Sequence, residues 1–184
     1  MKFIFTYIFI LISFVSFSQT PQIGDSFEGG IIFSIDLENN EGLICLPYDL
    51  DSENWNDAEN DCDNLIIENF TGWRLPSRIE LQEICNNKEI INQTALDIFD
   101  GEIFNSIFDG WGGSSWYFTN EPRNQFTPPG VWIVDFSDCH IEDAHQYLSL
   151  GVRPVRSITF TTGCTDSTAE NYDVNAIIDD ESCS

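Results

Sequence analysis

Residues 72–81 read GWRLPSRIEL, and this stretch contains the clearest helix start in the chain. Ser77 follows Pro76 and precedes Glu80 by three positions, which is the spacing of a capping box, in which each side chain bonds the other residue's backbone N–H. The spacing predicts a helix from about Arg78 to Asn86. Its buried face would carry Leu81, Ile84 and Cys85.

The residues before this helix predict a hairpin and an earlier helix. Apolar runs at 31–35 and 43–46 flank the polar turn 37–42, and Pro47 stops the second run. Residues 54–65 follow with one apolar stripe at steps of three and four, which is typical of an amphipathic helix. The stripe consists of Trp55, Ala58, Cys62 and Leu65.

The residues after this helix predict short strands and loops. A looser segment surrounds residues 98–108, and strands are expected at 116–119 and 131–136, joined by a long polar loop. A last hairpin is expected from 147–150 and 152–157. Two short helices with several short antiparallel strands give an α+β fold. From Thr161 the composition becomes small, polar and acidic, so we expect a domain over 19–160 and a separate tail over 161–184.

Residues 1–18 have the pattern of a cleavable signal peptide. Lys2 is followed by an almost unbroken apolar run over residues 3–17, and Ser16 and Ser18 provide small residues before a cut at Gln19. The run is shorter than the roughly 20 residues that a membrane span needs. The sequence therefore predicts a secreted or surface protein, or a periplasmic one, with no membrane span after cleavage.

The charge is extreme: 31 acidic residues face 7 Lys and Arg, a net charge of −24, or −25 once Lys2 is removed. Such a chain repels nucleic acid, anionic lipid and sulfated glycosaminoglycans. It favours cations such as calcium or basic peptides, or it keeps the protein solvated.

Six cysteines in an exported chain predict three disulfides. Cys164 and Cys183 stand apart near the C-terminus and are expected to pair with each other. The remaining four allow three pairings, which the sequence does not decide between. We favour Cys62 with Cys85, because both lie on the predicted buried faces of neighbouring helices, which leaves Cys45 with Cys139.

Several segments, taken in order, resemble a known bacterial family. They are residues 29–33 (GGIIF), 42–45 (GLIC), Trp55 with Ala58, 72–77 (GWRLPS) with Glu80 and Leu81, 114–116 (SSW) through Glu121, and 152–157 (VRPVRS). This order and spacing, over about Ile23–Ser157, is similar to the C-terminal domain of Legionella collagen-like protein. The resemblance implies a C-type-lectin-like fold and a surface or secreted recognition module. Sulfated glycosaminoglycan binding, which it would also imply, does not fit the acidic charge.

The resemblance and the pattern together suggest where a ligand would bind. The loops between Gly110 and Gly130 are the expected contact surface, with a carboxylate and an amide near a tryptophan platform. The candidate ligand-binding residues are Trp111, Trp116, Glu121, Asn124 and Trp132. The Glu121-Pro122-Arg123-Asn124 run is close to the Glu-Pro-Asn sugar site of calcium-dependent lectins, but Arg123 interrupts it.

The tail resembles short Cys-bounded acidic motifs of secreted bacterial proteins, some similar to calcium-binding thrombospondin type 3 repeats. Its oxygen-bearing side chains suggest a calcium site, expected to raise the melting temperature of the tail in millimolar calcium. The candidate ligands are Asp166, Asn171, Asp173, Asn175, Asp179 and Asp180. A second candidate, zinc at His140 and His145, is disfavoured because the two lie five residues apart in an expected loop.

Six residues in the most specific motifs are expected to be structural, with the arginines pairing with carboxylates or carbonyls at the edge of the core. They are Trp73, Arg74, Pro76, Arg153, Pro154 and Arg156. No nucleophile elbow, catalytic triad setting or phosphate loop occurs, so we expect no enzyme. The expected function is recognition of an extracellular glycan or protein. The alternative is a structural extracellular protein with a calcium-stabilised tail.

Overall fold

The computed structural model describes residues 20–50, 54–98, 115–123 and 129–184. The predicted signal peptide, Trp111 and Asn124 lie outside these ranges. The chain divides into two compact units, of which Pro21–Phe160 is one, while Thr161–Ser184 belong to the other. None of the helices in the described ranges is both long enough and apolar enough to cross a membrane.

The described residues of the larger unit form three helices and two main antiparallel sheets, so the predicted α+β class is confirmed. The helices are α1 (Trp55–Asp63), α2 (Arg78–Asn86) and α3 (Lys88–Ile98). The strands are β1 (Ser26–Phe27), β2 (Gly30–Asp36), β3 (Glu41–Cys45), β4 (Trp116–Arg123), β5 (Gly130–Asp135), β6 (His140–His145) and β7 (Val155–Thr159); the tail adds β8 (Thr162–Gly163) and β9 (Ile178–Asp179).

The first sheet has the order β1-β2-β3-β7, and the second has the order β4-β5-β6. The hairpin predicted before the first helix is β2 and β3, with a register shift between Ile32 and Ser34. The predicted last hairpin is wrong, because residues 147–150 form no strand and β7 pairs with β3 instead. Strand β6 was expected to be a loop, since only Ile141 and Ala144 of its six residues are even partly buried.

Helices α1 and α2 each begin at a capping residue whose side chain accepts from backbone N–H groups of the first turn. The Asn54 side chain accepts from the N–H groups of Asn56 and Asp57 at the start of α1. Both halves of the Ser77–Glu80 capping box are present at the start of α2, which spans the predicted residues. Helix α3 was not predicted. It buries only Ile91 and Ala95, so its apolar pattern is weak.

The core contains two clusters of buried side chains, and the second sheet contributes to both. Val134 and Tyr117 pack with Leu81 and Ile84 of α2 in one cluster. Phe118, Val131 and Ile133 pack with α1 in the other. The second sheet therefore packs against helices on both faces, while Trp132 and most residues of β6 stay at least partly exposed.

The tail is held by a disulfide and by local hydrogen bonds. Strands β8 and β9 pair in parallel, and Cys164 bonds to Cys183 as the sequence predicts. The Asn171 amide donates to the Ser182 carbonyl over 2.7 Å, and its oxygen accepts from the Ser184 N–H over 2.9 Å. These bonds tie the last residues of the chain to the middle of the tail.

The predicted cysteine pairing in the larger unit is wrong. Cys85 bonds to Cys139 rather than to Cys62, and Cys45 and Cys62 are buried free thiols. The reason is packing, because Cys62 belongs to the cluster around α1, whereas Cys85 faces the cluster between α2 and the second sheet. Cys139 lies in the turn between β5 and β6, whose position against α2 is not readable from local patterns.

The two free thiols lead to a chemical prediction. Burial raises the pKa of both the Cys45 and the Cys62 thiol to about 12. Because the thiolate is the reactive form, we expect no reaction with a thiol reagent at pH 8 in the folded protein. After unfolding in denaturant without reductant, two thiols per chain should react. A count of none would mean that a third disulfide exists.

Candidate functional site

Arg153 forms a buried ion pair in the interior of the larger unit. Its side chain is fully buried, and its Nε donates to Asp49 Oδ1 over 2.6 Å. The Tyr117 hydroxyl donates to the other Asp49 oxygen over 2.8 Å, and burial raises the pKa of Tyr117 well above its ordinary value. Both oxygens of Asp49 therefore accept from buried partners, which indicates a structural role.

Arg156 and Arg74 also pair with carboxylates. Arg156 donates to the carboxylate of Glu28 over 2.8 Å, and its guanidinium carbon lies 4.7 Å from the centroid of the Phe70 ring. Arg74 makes a two-point contact with Glu80 at 2.7 and 2.9 Å. Burial tends to raise the pKa of Glu80, but bonds from Arg74 and Ser77 outweigh it, so that pKa is lowered.

The other predicted structural residues are also part of the framework. The Pro154 carbonyl accepts from the Leu46 N–H over 3.0 Å, and the Pro76 carbonyl accepts from the Asn120 N–H over 2.8 Å. Trp73 is buried. The motifs at 72–77 and 152–157 thus join the two main sheets and the start of α2. These connections position the partly exposed residues described next.

The partly exposed site is a set of five side chains that we call the Arg–Trp cluster: Arg78, Glu121, Arg123, Trp132 and Asp143. Both guanidinium groups lie over the indole ring, with the carbon of Arg78 4.7 Å and that of Arg123 4.6 Å from its centroid. Each arginine also pairs with a carboxylate, Arg78 with Glu121 and Arg123 with Asp143. The result is a stacked, ion-paired surface group.

Three separate elements build the Arg–Trp cluster. Arg78 is the first residue of α2, directly after the capping serine, and its backbone N–H also donates to Glu121 over 3.0 Å. Trp132 lies opposite Asp143 in the pairing of β5 with β6. The register shift between Phe118 and Pro122 in β4 carries Glu121 and Arg123 to the same end of the sheet.

The structure brings together only some of the predicted ligand-binding residues that it describes. Glu121 and Trp132 belong to the Arg–Trp cluster, whereas Trp116 is half-buried and donates from its indole N–H to Asp135 over 3.0 Å. Both oxygens of Glu121 accept from Arg78, so this carboxylate is already used and differs from an open sugar site. Sequence reasoning missed Arg78, Arg123 and Asp143 as members of this group. Only the strand register could have revealed them.

The candidate calcium ligands of the tail take part in local hydrogen bonds. Asp166, Asp173 and Asp180 each accept from a backbone N–H two residues ahead, which are local turn bonds. Over the described ranges, no group of three or more His, Cys, Asp or Glu side chains is placed to hold a metal ion. Calcium binding by the tail therefore stays a prediction.

Every Arg and Lys side chain in the described part of the chain has an ion-pair or hydrogen-bond partner. All five arginines form ion pairs there, and the Lys88 ammonium donates to the Phe136 carbonyl over 2.6 Å. The remaining surface is dominated by carboxylates, because the whole chain has a net charge of −24.

The larger unit is a small α+β domain that contains one disulfide. Its arginines pair with carboxylates, and the Arg–Trp cluster lies at one end of its second sheet. The model of the Lcl C-terminal domain family matches residues 37–156, so the chain belongs to that family. No curated protein matches the chain. The family and the two disulfides are consistent with an extracellular protein.

Proposed function

We propose that this protein is a non-catalytic recognition module that is exported and binds a glycan or protein outside the cytoplasm. The Arg–Trp cluster is the observation that supports this proposal best. Tryptophan and arginine are enriched among the residues that dominate the energetics of binding surfaces, since tryptophan brings a large contact area and arginine brings charge and several hydrogen-bond donors. The lectin-like fold, implied by the family resemblance, and the signal-peptide pattern of residues 1–18 are part of the same proposal.

The Arg–Trp cluster suits recognition because its side chains are partly exposed yet held in place. The Arg78 side chain is 36% exposed and that of Glu121 is 31% exposed. Two stacked guanidinium groups and two ion pairs fix the geometry in the free protein, which lowers the ordering cost of binding. The surrounding negative charge favours neutral or cationic ligands over anionic ones.

Trp132→Ala is the test of this site. We expect it to weaken ligand binding at least about 30-fold, because the ring is the common contact of both arginines and would be central to the bound surface. The probes are an array of neutral and amino-bearing glycans and an array of extracellular proteins, each screened with the intact protein. Isothermal titration with the strongest hit then gives the affinity.

The matched control is Tyr147→Ala, which removes an aromatic ring that is 67% exposed and lies outside the cluster. It should leave both the affinity and the melting temperature unchanged. Arg123→Ala provides a second reading of the cluster, since it removes one stacked cation but keeps the tryptophan. Equal affinity of the wild type and the Trp132 variant, or no hit on either array, would contradict the proposal.

A further inference from the structure

Strand β6 leaves one edge of the second sheet open. Its six residues pair with β5 only, from His140 opposite Asp135 to His145 opposite Gly130. Across the ranges that the structure describes, the backbone groups of residues 141–144 have no hydrogen-bond partner beyond β5. In a strand, alternate residues point their N–H and C=O groups away from the neighbour, so this edge presents unpaired donors and acceptors.

The other sheet edges are partly covered or very short. The outer side of β4 bonds to Gly151, with the Phe118 N–H donating over 3.0 Å and the Trp116 carbonyl accepting over 2.9 Å. The outer side of β7 exchanges two backbone bonds with Arg74 at 3.0 and 2.9 Å. Strand β1 contains only two residues. Among these edges, β6 is the one that is both long enough to pair with an added strand and open on its outer side.

Strand β6 also lacks most of the devices that protect exposed edges. Natural edges are blunted by lysine, proline or a bulge that twists the strand away. The sequence of β6 is HIEDAH, with no lysine or proline, and its pairing with β5 has no register shift. The strand does carry negative charge, because Glu142 is exposed on it and Asp138 is exposed just before it, whereas Asp143 is already paired with Arg123.

This charge determines which strand the edge would accept. A second copy of the chain, at −24, is repelled over distances comparable with the Debye length. An extended segment rich in lysine or arginine is attracted, and it can add main-chain hydrogen bonds to the open edge. We propose that β6 is a docking edge for a basic, extended segment of a partner protein, which pairs with it as an additional strand. This inference rests on the proposed recognition function and assigns it a protein ligand.

Hydrogen exchange on the full chain tests the docking edge. The probe is the peptide Lys-Val-Lys-Val-Lys-Val, blocked at both ends, and the control is the same peptide with every backbone nitrogen methylated. We expect the unmodified peptide to slow exchange of amides within residues 141–144 by about tenfold or more, because pairing buries their outward N–H groups. The methylated peptide keeps the charge but has no backbone donors on either edge, so it should give no protection there.

Glu142→Lys supplies the charge control, and we expect it to weaken peptide binding at least about fivefold at low salt. Equal binding of the methylated peptide, protection confined to other residues, or no binding at about 1 mM peptide would overturn the docking edge. The recognition function has a separate readout. If Trp132→Ala still abolishes binding of an array ligand while the peptide fails on β6, only the docking edge is lost.

Discussion

Asp49→Ala is expected to lower the free energy of unfolding by about 3–5 kcal/mol, because it leaves a buried guanidinium without its counter-charge. Arg153 is fully buried, and Asp49 is its carboxylate partner at 2.5–2.6 Å. The same change removes the acceptor of the Tyr117 hydroxyl. Urea unfolding followed by tryptophan fluorescence measures the loss, since all five tryptophans lie within residues 21–160.

Two further variants separate charge from packing. Asp49→Asn keeps an acceptor for Arg153 and should cost clearly less than the alanine variant. Arg153→Met combined with Asp49→Leu replaces both charges by apolar chains, and this double variant should also cost less, since whole buried pairs are often replaceable by packed apolar residues. Equal losses for Asp49→Ala and Asp49→Asn, or a loss below about 1 kcal/mol for the former, would show that the pair is not desolvated as described.

Features set by short-range signals were predictable from the sequence. The capping box at Ser77 and Glu80 gave α2 with its observed ends. The apolar stripe with Trp55, Ala58 and Cys62 gave α1, and those three residues are buried. In both cases the deciding contacts lie within one or two helical turns, so the residues that make them are adjacent in the sequence.

Features set by long-range register were not predictable. Strand β6 carries four exposed polar residues because it is an edge strand, and such a pattern is easily taken for a loop. If β6 is not predicted as a strand, Asp143 cannot be placed opposite Trp132, and the Arg–Trp cluster cannot be predicted. The predicted pairing of Cys85 was wrong for the same reason, because its bond to Cys139 depends on how the β5–β6 turn packs on α2.

The Cys85–Cys139 bond reinforces one particular contact in the fold. The same turn is also held by the Gln82 amide, which donates to the Cys139 carbonyl over 3.1 Å. The Lys88 ammonium donates to the Phe136 carbonyl nearby over 2.6 Å. Three cross-links therefore join the α2–α3 region to the turn that precedes β6. The disulfide alone also constrains the unfolded chain, because it joins residues 54 positions apart.

Cys85→Ala with Cys139→Ala is expected to destabilise the larger unit by about 4 kcal/mol on the chain-entropy estimate for a loop of this length. Alanine is used because Cys85 is buried, and a serine hydroxyl there would add an unrelated cost. The measurement is again urea unfolding followed by tryptophan fluorescence, under conditions in which the other cysteines keep their state.

The matched control is Cys164→Ala with Cys183→Ala, which opens the tail, where the two cysteines lie 19 positions apart. Because the tail belongs to a different compact unit and contains no tryptophan, its loss should leave the fluorescence transition in place. A change of less than about 1 kcal/mol for the Cys85 and Cys139 double variant would mean that the two hydrogen bonds at the turn suffice. A large shift with the tail variant would instead mean that the two units unfold together, so that the tail contributes to the stability of the domain that carries the Arg–Trp cluster.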